Sequence, residues 1–236
     1  MGRAFEYRKA SKLKRWGAMS KLFPKLAKII TMAAKEGSND PDMNSKLRTA
    51  IINAKAENMP KDNIDAAIKR ASAKDTTNML EVNFEGKAPH GVLLFIECAT
   101  DNNTRTVANV KNILTKNGGE LLTNGSLEFM FTRKAVFEFL LNDDMDIEEL
   151  ELELIDAGLE EIEEEDGVVL ITADYTSFGT MHEALEKLGI EITKADLERM
   201  ADLPITITDK EHEEIDKILE KLEDDEDVQK VFSNLA

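Results

Sequence analysis

Apolar side chains between Met19 and Ala71 repeat with the period of an α-helix, and two turn sequences divide this stretch into three segments. In the first segment the apolar positions lie four, three and four residues apart, on one face of a helix. They are Leu22, Leu26, Ile29 and Ala33. Gly37 and Pro41 then end the helix, because glycine favours a helix end and proline cannot continue one. A chain that starts in this way is predicted to begin with a helical domain.

The other two segments have the same character. A second helix is predicted from about Asn44 to Glu57, with Leu47 and Ile51 on its buried face. A turn at 59–63 follows, and Pro60 can serve as the first residue of a third helix. Three short amphipathic helices of this kind are expected to pack around one small core.

Basic residues follow the same helical rhythm. Three lysines precede apolar positions of the first helix by one residue, and a fourth lies one helical repeat of seven residues further on. Further cations follow on the second helix and at the second turn. These cations are Lys21, Lys25, Lys28 and Lys35, followed by Arg48, Lys55 and Lys61. A single lysine stripe is usually a solvated helix face, so its meaning depends on what else the chain carries.

Residues 1–19 are also basic, and they lack a sustained apolar period. The cations are Arg3, Arg8, Lys9, Lys12, Lys14 and Arg15, interleaved with Phe5, Tyr7 and Trp16. Such a segment is typical of an arm that binds phosphates while its aromatic rings stack on bases. The alternative is a solvated arm that packs on the helical domain. Combined with the lysine stripe, the arm favours binding to nucleic acid.

Charge is distributed unevenly along the chain. The net charge is −17, but residues 1–75 carry 17 Lys and Arg against 8 Asp and Glu. Residues 133–236 carry 9 against 33. A basic end on an acidic remainder predicts an anionic partner at the N-terminal end.

The rest of the chain alternates strand and helix patterns. Strands are predicted at 81–86, 91–100 and 127–131, with a helix around Val107–Leu114. Residues 134–200 repeat a βαββαβ order that is typical of a ferredoxin-like unit. A strand-like 205–207, a helix from about Asp209 and a strand at 228–232 complete the pattern. The predicted fold class is α+β, with an N-terminal three-helix domain followed by two α/β domains.

Several motifs resemble the YebC/PmpR family of gene-expression regulators. They are Ala34-Lys35-Glu36-Gly37, Asn58-Met59-Pro60-Lys61-Asp62-Asn63-Ile64, Ala99-Thr100-Asp101-Asn102-Asn103-Thr104-Arg105-Thr106 and Lys116-Asn117-Gly118-Gly119. They occur in the family's order and span nearly the whole chain. The commoner opening of the family, Gly-His-Ser-Lys-Trp, is replaced here by residues 1–19, which keep Lys14-Arg15-Trp16.

The resemblance implies a three-domain arrangement. The expected domains are 1–75, the combination of 78–132 with 204–236, and an acidic ferredoxin-like domain at 133–203. The last of these would be inserted into the middle one. Residues 81–131 alone supply only half of an α/β sandwich, which is why the C-terminal tail is expected to return to it.

Enzyme signatures are missing from the sequence, and neither a cofactor nor a metal is expected. There is no P-loop, dinucleotide-binding glycine motif, zinc-protease motif or nucleophile elbow. His182 and His212 are predicted to be solvated on helix surfaces, and Cys98 to be buried in a strand. No apolar run approaches the ~18–20 residues of a membrane span. These features favour a cytoplasmic, monomeric protein that is not an enzyme and has no membrane partner.

The turn at Asp101–Thr106 allows two interpretations. It follows a core strand and opens a helix, so its amide groups and Arg105 could hold a phosphate. Asn and Thr side chains also cap helices at such places, and the chemistry alone favours capping.

We therefore predict a nucleic-acid-binding regulator, with Arg105 and the basic residues of 1–61 named above as candidate contacts. The resemblance implies two variants: a DNA-binding transcriptional regulator, which we place first, or a ribosome-associated factor that helps translation through difficult sequences such as proline runs. Duplex DNA and ribosomal RNA present similar phosphate charge, so the residues alone do not separate the two. A protein–protein adaptor that binds through its acidic domain is the alternative from another class.

Overall fold

The structure is a computed structural model that describes residues 19–72, 79–142 and 144–236, with side chains from Leu22 onward. Helices come first along the chain, and two β-sheets flanked by helices follow. This arrangement confirms the predicted α+β fold class. We call residues 19–72 the head, and the described residues from 79 onward the body.

The head consists of α1 (Met19–Glu36), α2 (Ser45–Ala56) and α3 (Lys61–Ala71). Its core contains Ile30 and Leu47, both fully buried, and Ile64. Asn44 joins the first two helices. Its side chain accepts a hydrogen bond from the amide of Leu47 and donates to the carbonyl of Ala33, so one residue caps α2 and binds the end of α1.

The first sheet of the body has the strand order β3-β1-β2-β8, and its neighbouring strands are antiparallel. Its elements are β1 (Leu80–Lys87), β2 (Leu93–Thr100), α4 (Asn103–Lys116), β3 (Glu120–Leu121), α7 (Asp209–Glu223) and β8 (Val228–Ser233). Helices α4 and α7 place Val110, Leu114 and Ile218 in one core with the strands. The C-terminal strand thus completes a sheet that begins more than a hundred residues earlier, as the sequence led us to expect.

The second sheet has the order β5-β6-β4-β7, again antiparallel. It is built from β4 (Phe131–Leu140), α5 (Ile147–Leu154), β5 (Leu159–Glu165), β6 (Val168–Asp174), α6 (Phe178–Lys187) and β7 (Ile192–Ala201). The βαββαβ order and this strand arrangement are those of a ferredoxin-like unit. The residue boundaries of the three predicted domains stay a prediction.

Two predicted strands are wrong. Residues 127–131 form a 3-10 turn at Glu128–Met130 before β4 begins, because the Glu85 carboxylate accepts the amide hydrogens of Gly125 and Leu127 and holds this loop in a bend. The apolar pattern there arises from burial of Leu127 and Phe131, one turn apart. Residues 205–207 contribute only a single bridge, Ile205 to Leu235. The two-residue strand β3 was not predicted.

The two sheets share an apolar joint. Phe95 and Phe232 of the first sheet and Phe131 of the second belong to one buried cluster, in which the rings of Phe95 and Phe131 meet edge to face with centroids 6.0 Å apart. The Arg199 guanidinium lies 3.8 Å from the centre of the Phe95 ring, and its Nε donates to Glu97. The body is therefore held together by apolar burial reinforced by cross-sheet polar contacts.

Candidate nucleic-acid interface

A cleft of about 760 Å³ opens on the head, between the loop before α2, the helix α2 and one face of α3. Three exposed lysines line it: Lys55, Lys61 and Lys69. Its apolar lining comes from Ile51, Met59, Ile64 and Ile68, and among the described residues Asp65 is the one acidic side chain that lines it. Within the part of the chain that the structure describes, this is where the head gathers several cations around one depression.

The sequence named two of these lysines and missed Lys69. Lys61, Asp65 and Lys69 lie four residues apart on α3, so they share one face of that helix. The spacing was visible in the sequence. The sequence did not show that this face of α3 lies across the cleft from Lys55 of α2, because that position depends on how the two helices pack.

Lys25 and Lys28 of the predicted stripe point towards the body. The ammonium of Lys25 donates to the carbonyl of Glu223, at the C-terminal end of α7. Lys28 Nζ donates to the carbonyls of Ala99 (3.0 Å) and Glu226 (2.9 Å) and lies 3.3 Å from Asp227 Oδ1. Both lysines thus contact carbonyl and carboxylate oxygens of the chain itself.

Arg48 and Arg105 are also engaged within the protein. Arg48 donates to Glu186 of α6 at 3.1 Å and to the carbonyls of Pro41 and Asp42. Arg105 binds Asp227 at 2.8 Å and Asp101 at 2.8 Å, and it remains about half exposed.

The turn that precedes α4 is a helix cap. The side chain of Asn102 accepts a hydrogen bond from the amide of Arg105. The Thr106 hydroxyl bonds to Thr100 and to Asp227. Of the two interpretations of this turn, capping is the one that the geometry shows.

The remaining candidates divide into two groups. Lys35 belongs to the last turn of α1 and makes an interaction within the protein. The side chain of Lys21 and the arm residues Arg3, Arg8, Lys9, Lys12, Lys14 and Arg15 lie outside the described residues.

Asp227 lies at one of the contacts between head and body. Burial by itself would raise the pKa of this carboxyl, but hydrogen bonds from Arg105 and Thr106 and the nearby charge of Lys28 hold the pKa below its ordinary value. On the other side of the contact, burial lowers the pKa of the Lys25 ammonium, against the opposing effect of Glu223 and other acidic neighbours. Asp227 is thus an ionised carboxylate, only 3% exposed, with donors on several sides.

The prediction for His182 is wrong. It is buried in the second sheet's half of the body, with its ring 6.3 Å from Phe137 and 6.4 Å from Phe178, and burial lowers its pKa. Cys98 is buried, as predicted, and burial raises the pKa of its thiol to about 12. The described residues contain no group of three or more His, Cys, Asp or Glu side chains placed to hold a metal ion. In the same residues no helix combines the length and the apolar character needed to cross a membrane.

Comparison with known proteins identifies the family to which the chain is similar. Residues 3–74 match the family model described as the TACO1/YebC protein N-terminal domain, and residues 79–235 match the one described as the TACO1/YebC second and third domain. A probable transcriptional regulatory protein of Sulfurimonas denitrificans is 76% identical over the full length of both chains, and one of a Sulfurovum species is 64% identical, also over both full lengths.

A solved structure is also similar. The crystal structure of a conserved hypothetical protein from Aquifex aeolicus matches with a TM-score of 0.79 at 34% identity, over 95% of this chain and 93% of that one. The family that the sequence motifs indicated is confirmed, since two family models together cover almost all of the chain. The protein belongs to the TACO1/YebC family.

Proposed function

We propose that this protein is a regulator of gene expression that binds DNA through its head and catalyses no reaction. The observation that carries the proposal is the cleft with Lys55, Lys61 and Lys69, because it gathers exposed cations at the basic end of a strongly acidic chain. The names of the relatives from Sulfurimonas and Sulfurovum, probable transcriptional regulatory proteins, support the same function.

Phosphate binding accounts for this arrangement. Lysine ammonium groups bind phosphates as point charges, and such contacts give affinity and position but little base specificity. The basic arm at 1–18 and Lys21 would extend the contact beyond the cleft. Residues 133–236 carry 9 basic and 33 acidic side chains, so they would repel the same polyanion. This repulsion would confine the nucleic acid to the head.

The lysines of the cleft are the positions that test this function. Lys25 and Lys28 contact the body, so a variant that reverses their charge would disturb the contact between head and body as well as any ligand contact. The triple variant Lys55→Gln, Lys61→Gln and Lys69→Gln removes charge from the cleft alone. A matched control removes three exposed lysines of the body, Lys111, Lys116 and Lys217.

Sedimentation of the full-length protein through a sucrose gradient of cell lysate, with and without nuclease, distinguishes the targets. For a DNA-binding regulator we expect monomeric migration at the top of the gradient, together with retardation of DNA fragments that the cleft variant loses and the body control keeps. Migration with ribosomal particles that the cleft variant abolishes would instead identify the ribosome as the target. Equal behaviour of the two triple variants in both assays would refute the cleft as the site.

A further inference from the structure

The joint between head and body is polar, unlike the joint between the two sheets. The buried apolar cluster of the head contains head residues only, and among the described residues no buried apolar cluster takes members from both head and body. The sheets, by contrast, share the cluster of Phe95, Phe131 and Phe232. Polar interfaces between parts of one chain usually permit relative motion, whereas apolar ones resist it. The head is therefore the part of the molecule for which relative motion is expected.

The first set of contacts joins α1 to the segment 223–227. Lys25 donates to the last carbonyl of α7, where the helix dipole favours a cation. Lys28 directs its ammonium at three oxygens, those of Ala99, Glu226 and Asp227, and its side chain is only 20% exposed. Three acceptors are as many as an ammonium group can bind.

Most of the hydrogen-bond donors to the Asp227 side chain belong to the body. Arg105, Thr100 and Thr106, all body residues, bond to its carboxylate. The contact to Lys28 is the one among these that crosses to the head. The carboxylate is thus presented to Lys28 as an anion that the body holds in place.

The second set of contacts joins α2 to the ferredoxin-like sheet. The Asn53 amide group donates to the carbonyl of Ala195 at 2.7 Å and accepts from its N–H at 3.0 Å. The Asn53 side chain thereby satisfies the main-chain N–H and C=O groups of Ala195 in β7, the edge strand of that sheet. Arg48 pairs with Glu186 on α6, and both side chains are partly exposed. We call these two sets of contacts, at Asp227 and at Ala195 with Glu186, the latches.

We propose that the two latches form an autoinhibitory clasp, in which segment 223–227 occupies Lys25 and Lys28 in place of phosphate and nucleic acid competes for them, releasing the head. The proposal rests on the proposed function, because the competitor is the ligand of the head. The Arg48–Glu186 pair is partly exposed, and ion pairs of this kind are individually weak. The less exposed ammonium of Lys28 would exchange its oxygen acceptors for phosphate oxygens, which form charge-assisted hydrogen bonds with it. Release adds Lys25, Lys28 and Arg48 to the cations already at the cleft.

Distance measurement in the full-length protein tests the clasp. Spin labels are placed at the exposed positions Ala66 on α3 and Asn112 on α4 through cysteine substitution. Cys98 stays unlabelled because it is buried and its pKa is raised to about 12. Double electron–electron resonance should give one narrow distance for the unliganded protein. Adding a short DNA duplex should lengthen and broaden that distance.

Two variants open the latches separately. Asp227→Asn removes the anion opposite Lys28, with Glu226→Gln as control, since Glu226 meets Lys28 through its main-chain oxygen. Asp227 is buried, and a thermal melt reports whether its variant folds. The second variant, Glu186→Gln with Asn53→Ala, alters the surface latch, with exposed Glu183→Gln on the same helix as control. Both latch variants should lengthen the distance without DNA and bind the duplex about three- to tenfold more tightly, since less of the protein is held closed. The controls should behave as the wild type does.

The outcomes separate the two proposals. An unchanged distance in both folded latch variants would show that the latches do not hold the head, and it would overturn the clasp. A longer distance in these variants, combined with duplex binding at wild-type affinity, would overturn the competition while the proposed function stands. A longer distance in the variants, with no nucleic acid binding by any form, would overturn the proposed function and with it the competition.

Discussion

Single residues decide where the head meets the body, and Asp227 is the clearest case. Its carboxylate collects Lys28 from α1, Arg105 from α4 and the hydroxyl groups of Thr100 and Thr106. Sequence analysis predicted Lys28 and Arg105 as ligand contacts, because both are cations beside recognisable helix patterns. Their acceptor lies more than a hundred residues further along the chain, and no local pattern marks it.

Replacing Asp227 with Asn should destabilise the protein by about 2 kcal/mol, since two cations lose an ionised, buried partner. The lowered pKa of Asp227 means that this stability is present above the ordinary aspartate pKa, about 3.9, and is lost as the pH falls through the lower folded value. Urea unfolding at neutral pH and in acid measures both effects. The Glu226→Gln variant should stay within about 0.5 kcal/mol of wild type. A loss in that control as large as in Asp227→Asn would contradict the assignment.

His182 predicts a second pH effect, with a different window. Because burial lowers its pKa in the folded state, the unfolded chain binds a proton more readily. The stability associated with neutral His182 should be complete above about pH 6.5, the ordinary histidine pKa, and should fall as the pH drops below it. The unfolding free energies of the wild type and of a His182→Leu variant, compared from about pH 7.5 to about pH 5, measure this effect. A difference between the two proteins that does not depend on pH would mean that folding leaves the pKa of His182 unchanged, which would contradict the effect of burial.

At the level of elements, helix periodicity and turn chemistry predict the head well. The first helix ends at Glu36, before Gly37, and the predicted start near Asn44 is the N-cap of α2. The false strand at 127–131 shows the limit of this approach. Its alternation reflects one turn of a 3-10 helix, and the group that bends the loop, Glu85, lies on β1, distant in sequence.

Two glycines of the ferredoxin-like unit should respond oppositely to alanine. Gly158 has φ +93°, and an added Cβ would lie 2.3 Å from Ser177 Oγ, so Gly158→Ala should cost about 1–2 kcal/mol. Gly179 lies within α6 with nothing within 4 Å of an added Cβ, so Gly179→Ala should gain about 0.5–1 kcal/mol from helix propensity. Thermal denaturation of both variants measures the contrast. Equal shifts in the same direction would mean that the turn after α5 is not constrained as described.

In the whole molecule, an uneven charge distribution coincides with an uneven assembly. Two sheets share an apolar joint and an acidic composition, while a basic head is attached through polar contacts. Composition predicted the basic end and the acidic remainder. It did not predict that part of the basic stripe faces the body, because the partners of Lys25 are a main-chain carbonyl and its acidic neighbours, which depend on tertiary packing.

The most direct test of the central claim, that the head binds nucleic acid through its cleft, is the salt dependence of duplex binding. The logarithm of the binding constant is measured against the logarithm of salt concentration for wild type, the Lys55/Lys61/Lys69→Gln variant and the matched Lys111/Lys116/Lys217→Gln control. Each phosphate contact contributes about 0.9 to the slope, so the cleft variant should lose about 2 to 3 units of slope while the control keeps the wild-type value. A cleft variant with the wild-type slope would contradict the account.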